Sequence, residues 1–369
     1  MDDTTALSTA VGILPIQDLR RFTASGILSA ANGIEDAQFQ PASLDLRLGA
    51  RAWRIRASFL PGAGHRITDK LPPLAMHEIT LTDDGVLLEK GCVYLVELQE
   101  RVALPDDLHA MANAKSSTGR LDLLTRVIAD GSTEFDRLVP GYTGPLYAEI
   151  CPRSFSVLVR PGMRLNQLRL RRGTAQIDDS ALRQLHADLG LVAGGAAHID
   201  DGVGFSVDLR PTADGIVGFR ARAHTGVIDL DRIGAYDPLD FWDPVHARDG
   251  QIILDPGAFY ILVSREAVHI PPDCAAEMAP YLALVGEFRV HYAGFFDPGF
   301  GHAAAGGAGA RGVLEVRCHE APFVLEHGQR VGRLIYERMA ARPEVLYGAG
   351  IASNYQGQGL KLSKHFRPL

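Results

Sequence analysis

The spacing of apolar residues changes along this chain from a helical period to a period of two, and in the second half the pattern repeats itself. Ile16, Leu19 and Phe22 fall at helical intervals and the pattern stops near Gly26, which predicts one short amphipathic helix. From Gln40 to residue 172, apolar and polar residues alternate in short runs separated by Gly, Pro, Asn and Asp, the pattern of β-strands and turns. Gln176–Leu189 reads as a capped helix leading to Gly194 and Gly195, a joint between two halves.

Beyond that joint the first half recurs. Gly91, Tyr94, Val102 and Pro105 return 166 residues later as Gly257, Tyr260, Val268 and Pro271. The same offset relates Glu149, Gly162, Leu165 and Leu168 to Glu315, Gly328, Val331 and Leu334, and Ser43-Leu44-Asp45 is answered by Ser206-Val207-Asp208. A register held over so long a stretch marks a duplicated unit. The sequence therefore predicts a mainly β protein with a first domain over residues 1–172, a helical linker over 173–200 and a second domain over 201–369.

Composition narrows the function. The chain has 369 residues, 46% hydrophobic and 22% charged, enough for two globular cores. A net charge of −7 argues against a surface for nucleic acid, so any phosphate bound is expected to be local and small. The start of the chain lacks the basic and apolar regions of a signal peptide, and no apolar run approaches the length of a membrane span; no membrane association and a cytoplasmic location are expected. The four cysteines form no C-x-x-C pair and read as buried free thiols.

The densest polar cluster is Lys115-Ser116-Ser117-Thr118-Gly119-Arg120, after a strand-like run ending near Met111. Hydroxyls, a glycine and two cations within six residues suit a loop that wraps phosphate oxygens; the alternative is a polar turn capping a helix. The aligned residues of the second half, Leu282–Gly286, offer neither hydroxyl nor guanidinium. Conversely, Phe296-Asp297-Pro298-Gly299 carries an acid where Leu138-Val139-Pro140-Gly141 has valine, and the second hairpin is extended through Gly301–Ala310. His224, His302 and His327 read as loop and surface residues.

Taken together, Pro41–Gly49, the Ser116-Ser117 loop with Arg120, the Pro140-Gly141-Tyr142 hairpin leading to Ala148–Ile150, Arg160–Leu165 and the tail Tyr355–Lys364 resemble the dCTP deaminase and dUTPase superfamily, in its long tandem form. The resemblance covers most of both halves. It implies two dUTPase-like distorted β-barrels with a few short helices, assembled as a homo-oligomer with a trimer favoured, and sites at contacts between barrels. It implies dCTP or dUTP as the small-molecule partner. Ser116, Arg120 and Glu149 match the family's catalytic serine, arginine and glutamate. Lys115, Ser117, Thr118, Gly119, Tyr147, Ala148, Asp297, Glu315, Tyr347, Gln358, Lys361 and Lys364 are the candidates for substrate contact, with a solvated basic tail as the alternative for the two last lysines. Phe135–Gly141 departs from the family's Ala-His-Arg-x-Asp-Pro-Gly run, and Asn354 replaces a lysine of the tail. Tyr236–Trp242, rich in aromatics, reads as a packing cluster or subunit contact, with a cover for a nucleobase as the alternative.

Hydrolytic deamination of cytosine needs an activated water, a proton for N3 and the leaving amine, and a donor for developing charge. The H-x-E…C-x-x-C signature of zinc deaminases is absent. The expected route is metal-free at the base: a carboxylate, Glu149, carries the proton, no cofactor is tightly bound, and Mg²⁺ accompanies the triphosphate on its own oxygens, with no protein metal ligand. The loop of one barrel must meet the hairpin of another. The expected pairing joins Ser116 and Arg120 to Glu149 among first copies, with Tyr347 and Gln358 of the tail over the triphosphate and the second barrel mainly architectural. The alternative pairing joins the loop to Asp297 and Glu315. The expected activity converts dCTP and water to dUTP and ammonia in dTMP-precursor metabolism; a dUTPase, a bifunctional enzyme and a nucleotide-sensing protein without chemistry are the alternatives.

Overall fold

A computed structural model describes residues 9–280, 288–291, 294–351 and 357–368. The architecture is mainly β. In the first half, seven antiparallel strands follow one another in the order Arg137–Leu138, Leu108–Ala114, Arg164–Arg172, Ser43–Ile55, Val93–Ala103, Thr143–Pro152 and Leu123–Ala129. One residue links strands near the two ends of this path. The Asp136 carbonyl accepts from the Ala112 amide at 2.8 Å, its amide donates to the Val127 carbonyl at 2.8 Å, and its carboxylate accepts from the Val127 amide at 2.7 Å. Asp136 sits at a φ of 61°, a left-handed conformation that aspartate tolerates better than most residues. The sheet thus curls into a nearly closed barrel.

The second half repeats this strand order, divided between a four-stranded and a five-stranded sheet. Glu149 pairs with Leu95 and Glu315 with Ile261, the same register displaced by the repeat. Gly162 and Gly328 turn the chain at φ of 81° and 82°, which explains why glycine stands at both positions. Between the halves the helix Asp179–Leu189 begins at Asp178, whose side chain accepts from the Ala181 amide at 2.9 Å, and ends at left-handed Gly190. The first helix spans Ile16–Ala24, buries Ile16, Leu19 and Phe22, and stops before Gly26.

The second half has its own core, around Phe205, Leu262, Leu314 and Leu334, yet it also contributes to the first. Phe219, Phe241, Trp242, Phe259, Ile261 and Val313, all from the second half, belong to the core of the first barrel. Leu362 and Phe366 from the tail join them. Trp242 is fully buried and meets Phe155 and Phe366 edge-on, with ring centroids 5.2 and 5.9 Å apart. The aromatic run Tyr236–Trp242 is therefore a packing cluster, and what it fastens is the C-terminal tail. Arg169, fully buried on a first-barrel strand, donates to the carbonyl of Ala276 at 3.1 Å in the second. Cys274 and Cys318 are buried, whereas Cys92 and Cys151 are only half-buried; all four thiols are free. Among the described residues no helix is long and apolar enough to cross a membrane.

A shared core should melt as one unit. Truncation of Trp242 to alanine removes a buried aromatic from the joint between halves and tail, at a cost of about 3–5 kcal/mol. Chemical denaturation followed by fluorescence and by circular dichroism should show a lower midpoint for Trp242→Ala by both probes together; an unchanged midpoint would refute the joint.

Candidate active site

The hydroxyl-rich stretch forms where a barrel strand ends. Leu108–Ala114 alternates buried and half-buried residues, and Lys115 then opens a single helical turn, Ser116–Gly119, closed by Arg120. The Lys115 amide donates to the Leu165 carbonyl at 2.9 Å, and its ammonium pairs with the buried carboxylate of Asp45. Arg120 is buried and ties the loop to the tail. It donates to the Lys361 carbonyl at 3.0 Å and to Oε1 of Gln358 at 2.8 Å, while Ser363 Oγ donates to the Ser117 carbonyl at 2.8 Å. His365, buried beside Ser363 Oγ at 2.9 Å and the Leu230 carbonyl at 3.1 Å, fixes the tail further; burial pushes its imidazole down to about 4.

Opposite this loop stands the second barrel's hairpin. Asp297 is buried next to Arg169, whose Nη2 lies 3.2 Å from its Oδ1. Burial raises its carboxyl while Arg169 opposes the rise. Glu315, on the strand Ala310–Cys318, is buried and forms no ion pair among the described residues. Burial pushes its carboxyl up to about 8, Arg120 pulling it down and Asp122 pushing it up.

These groups share a cavity of about 530 Å³ between the two barrels of the chain. Lys115, Arg164 and Lys364 give it a cationic end, beside Ser116 and Ser117. Burial, with Lys115 and Arg164 close by, lowers the Lys364 ammonium from its usual value. Asp297, within electrostatic reach of Asp45 and Lys115, and Glu315, within reach of Arg120, also line it, with Phe296, Phe300 and Val313. Tyr347 packs on Phe300 with centroids 5.7 Å apart, and with Gln358 it brings the C-terminal region to the opening. The arrangement offers cations that can hold an anion and a buried carboxyl that can exchange a proton. Among the described residues no group of three or more His, Cys, Asp or Glu side chains could hold a metal ion.

Glu149 lies elsewhere in the chain. Its side chain is buried under Arg126, with which it forms an ion pair; the Arg126 guanidinium stacks 3.5 Å over Phe135 and donates to Ser58 Oγ at 3.0 Å. It does not line the cavity that holds Ser116 and Arg120. The reason is docking: the first barrel's loop faces the second barrel's hairpin, so the equivalent acid, Glu315, meets it. Tyr147 packs in the Trp53 cluster and Ala148 in the first core, away from the cavity. Thr118 and Gly119 are buried behind the loop, Thr118 lining a neighbouring cleft shared with Lys115 and Lys364. Lys361 contributes its carbonyl to Arg120 while its side chain is exposed. Leu282–Gly286 and Asn354 lie outside the described residues.

Sequence reading gave no role to Asp45, Arg164 or Arg169. Arg169 escapes because its strand is covered on both faces, Leu168, Arg169 and Leu170 all being buried, so alternation does not single it out. Asp45 carried a signal in the repeated Ser-x-Asp, whose second copy is also a buried, ion-paired acid, Asp208.

Residues 10–174 match the 2'-deoxycytidine 5'-triphosphate deaminase (DCD) N-terminal domain, and residues 178–366 match the C-terminal domain of the same name. The crystal structure of 2'-deoxycytidine 5'-triphosphate deaminase from Agrobacterium tumefaciens superposes with a TM-score of 0.86 at 54% identity, covering 89% of this chain and 99% of that one. A dCTP deaminase of Haloarcula marismortui is 33% identical over 41% of this chain and 74% of its own length. A protein of Beutenbergia cavernae named dCTP deaminase, dUMP-forming, is 31% identical over 42% of this chain and 77% of its own. With both domain families matched in order along one chain, and a structure alike over nearly its whole length, this chain belongs to the dCTP deaminase family of enzymes.

Proposed function

We propose that this chain deaminates dCTP to dUTP and ammonia at the cavity between its two barrels, with Glu315 carrying the proton. The observation that supports this most directly is the meeting of a buried, proton-retaining carboxyl with Ser116, Arg120 and a cluster of cations in one cavity. The triphosphate lies at the cationic end, where Lys115, Arg164 and Lys364 are short of counter-charge, Asp45 being the acid paired with them. Mg²⁺ comes with the nucleotide on the phosphate oxygens. The cytosine enters toward Glu315 past Phe296, Phe300 and Val313.

There Glu315 takes a proton from a water that attacks C4 and passes it to N3; it then moves the proton of the new C4 hydroxyl to the amino group, so that the C4 carbonyl forms as the C–N bond breaks and ammonia leaves. A carboxyl with a proton affinity near neutrality suits both halves of that transfer. Ser116 orients the water, and Arg120, held by Gln358 and the Lys361 carbonyl, places positive charge beside Glu315. A second reading, in which dUTP is also cleaved to dUMP, is favoured by Asp297, a hairpin acid in the same cavity as the cations. Resolving dUTP, dUMP, ammonia and pyrophosphate after incubation with dCTP separates the two.

Glu315→Gln keeps shape and removes the proton carrier, so kcat should fall by roughly 10²-fold or more with KM little changed. Glu149→Gln should retain most of kcat. Steady-state kinetics with dCTP test this; an active Glu315→Gln beside an inactive Glu149→Gln would reverse the assignment.

The raised carboxyl also predicts pH effects. Water activation needs Glu315 ionised, so kcat/KM should climb with pH and level off above about 8. For stability the sign is the opposite: below about 4.5 both folded and unfolded forms are protonated, whereas from there to about 8 only the unfolded chain ionises, which favours unfolding. Glu315→Gln should therefore melt higher than wild type, with a gap that widens from pH 5 to pH 8. A gap independent of pH would show that Glu315 has an ordinary carboxyl.

A further inference from the structure

Another buried ion pair crosses the barrel junction, joining the loop's exit to the second barrel. Asp122 follows the hydroxyl loop directly and is 1% exposed. Its carboxylate accepts from Ser154 Oγ at 2.7 Å and pairs with the guanidinium of Arg317 from the second barrel. The Asp122 amide donates to the Gly119 carbonyl at 2.9 Å, and its own carbonyl accepts from the Arg153 amide at 3.0 Å, so the backbone of the loop's exit is fixed at the same point. Arg317 also donates to the Gly257 carbonyl and lies 3.4 Å from Ser154 Oγ. Neither residue lines the cavity.

The place of the pair in the two sequences gives it meaning. Arg317 is two residues after Glu315 on one strand, so both side chains leave the same face of that strand. Asp122 is two residues after Arg120 on the loop. One contact thus ties the segment carrying the guanidinium to the segment carrying the acid. Burying two charges is costly, and as a stability device an apolar pair would serve as well. What an apolar pair would not supply is a directional link and a charge facing Glu315.

We propose that Asp122, Arg317 and Ser154 form a positioning clamp that holds the Ser116/Arg120 loop of the first barrel in reacting geometry against Glu315 of the second. The proposal rests on Glu315 as the proton carrier. Glu315 feels the charges of Arg120 and Asp122 from the first barrel; Lys115, Lys364, Asp297 and Tyr347 line the same cavity, and its register neighbours are Ile261 and His291. The Asp122 charge raises the proton affinity of Glu315, and Arg317 neutralises part of that charge.

The test compares Asp122→Asn, Arg317→Met and Arg317→Lys by kcat, KM for dCTP, the pH profile of kcat/KM and thermal melting. Asparagine tolerates the left-handed backbone at Asp122, where φ is 53°, and preserves shape. The clamp predicts kcat down roughly 10–100-fold in Asp122→Asn and Arg317→Met, with KM within about three-fold, since a small misplacement of reacting groups acts on the chemical step. The acid limb of the profile should move to lower pH in Asp122→Asn, which loses a negative charge near Glu315, and to higher pH in Arg317→Met, which leaves that charge unscreened. Arg317→Lys should restore the limb and part of kcat. Folded variants with wild-type kcat and an unmoved limb would overturn the clamp, as would a rise in KM alone. If the first two fail to fold, Ser154→Ala, which removes the hydroxyl that donates to Asp122, decides: wild-type kcat and an unmoved limb in that variant overturn the proposal. Activity surviving in Glu315→Gln would instead refute the underlying reading, an outcome distinct from inactive Glu315→Gln beside fully active clamp variants.

Discussion

The cavity between the barrels depends on one constraint: side chains of the second half and the tail are packed into the first barrel's core and fix the two barrels against each other. Phe219, Trp242, Phe259 and Val313 of the second half are packed in the first barrel's core, and Leu362 and Phe366 return there from the tail. That burial determines which acid meets the hydroxyl loop. With the barrels docked in this way, Glu315 shares a cavity with Ser116 and Arg120, and Glu149 turns under Arg126. Duplication supplied two equivalent carboxylates, and docking gave them different surroundings.

The charges at the junction follow from the same docking. Arg169 crosses from the first barrel to Asp297 and lies 4.1 Å over Phe295, while Arg171 bridges Glu277 at 2.6 Å and Glu337 at 3.0 Å. Asp297, Glu277 and Glu337 of the second barrel each have a first-barrel arginine, whereas Glu315 feels Arg120 and Asp122 without an ion pair among the described residues. A buried carboxyl left in that state holds its proton near neutral pH, a property suited to carrying one between water and a ring nitrogen. The tail completes the site by gripping Arg120 through Gln358 and the Lys361 carbonyl, and its aromatic end is locked far from the chemistry at Trp242 and Phe366. Holding the guanidinium and closing the cavity are therefore done by one segment.

Much of the fold was legible in the sequence because its signals are local. Turn glycines such as Gly162 and Gly328 need positive φ in both copies, and the linker helix carries its cap at Asp178 and its stop at Gly190. The hydroxyl loop was legible from composition alone. The choice between Glu149 and Glu315 was not, since a repeat assigns both the same strand position and the difference lies in what packs against each. Arg169 and Arg317 were hidden because their strands are buried on both faces, where alternation loses its meaning. The aromatic run at Tyr236–Trp242 announced packing, but its partner, Phe366, lies too far along the chain for any periodicity to reveal.

The claim on which the account stands is that loop and acid come from unlike barrels of one chain. A crystal structure of Glu315→Gln with dCTP bound tests it most directly. The account predicts the cytosine within hydrogen-bonding distance of residue 315 and Ser116 of the same chain, and the phosphates on Lys115 and Lys364. Nucleotide density beside Glu149, with the cavity between the barrels empty, would contradict it.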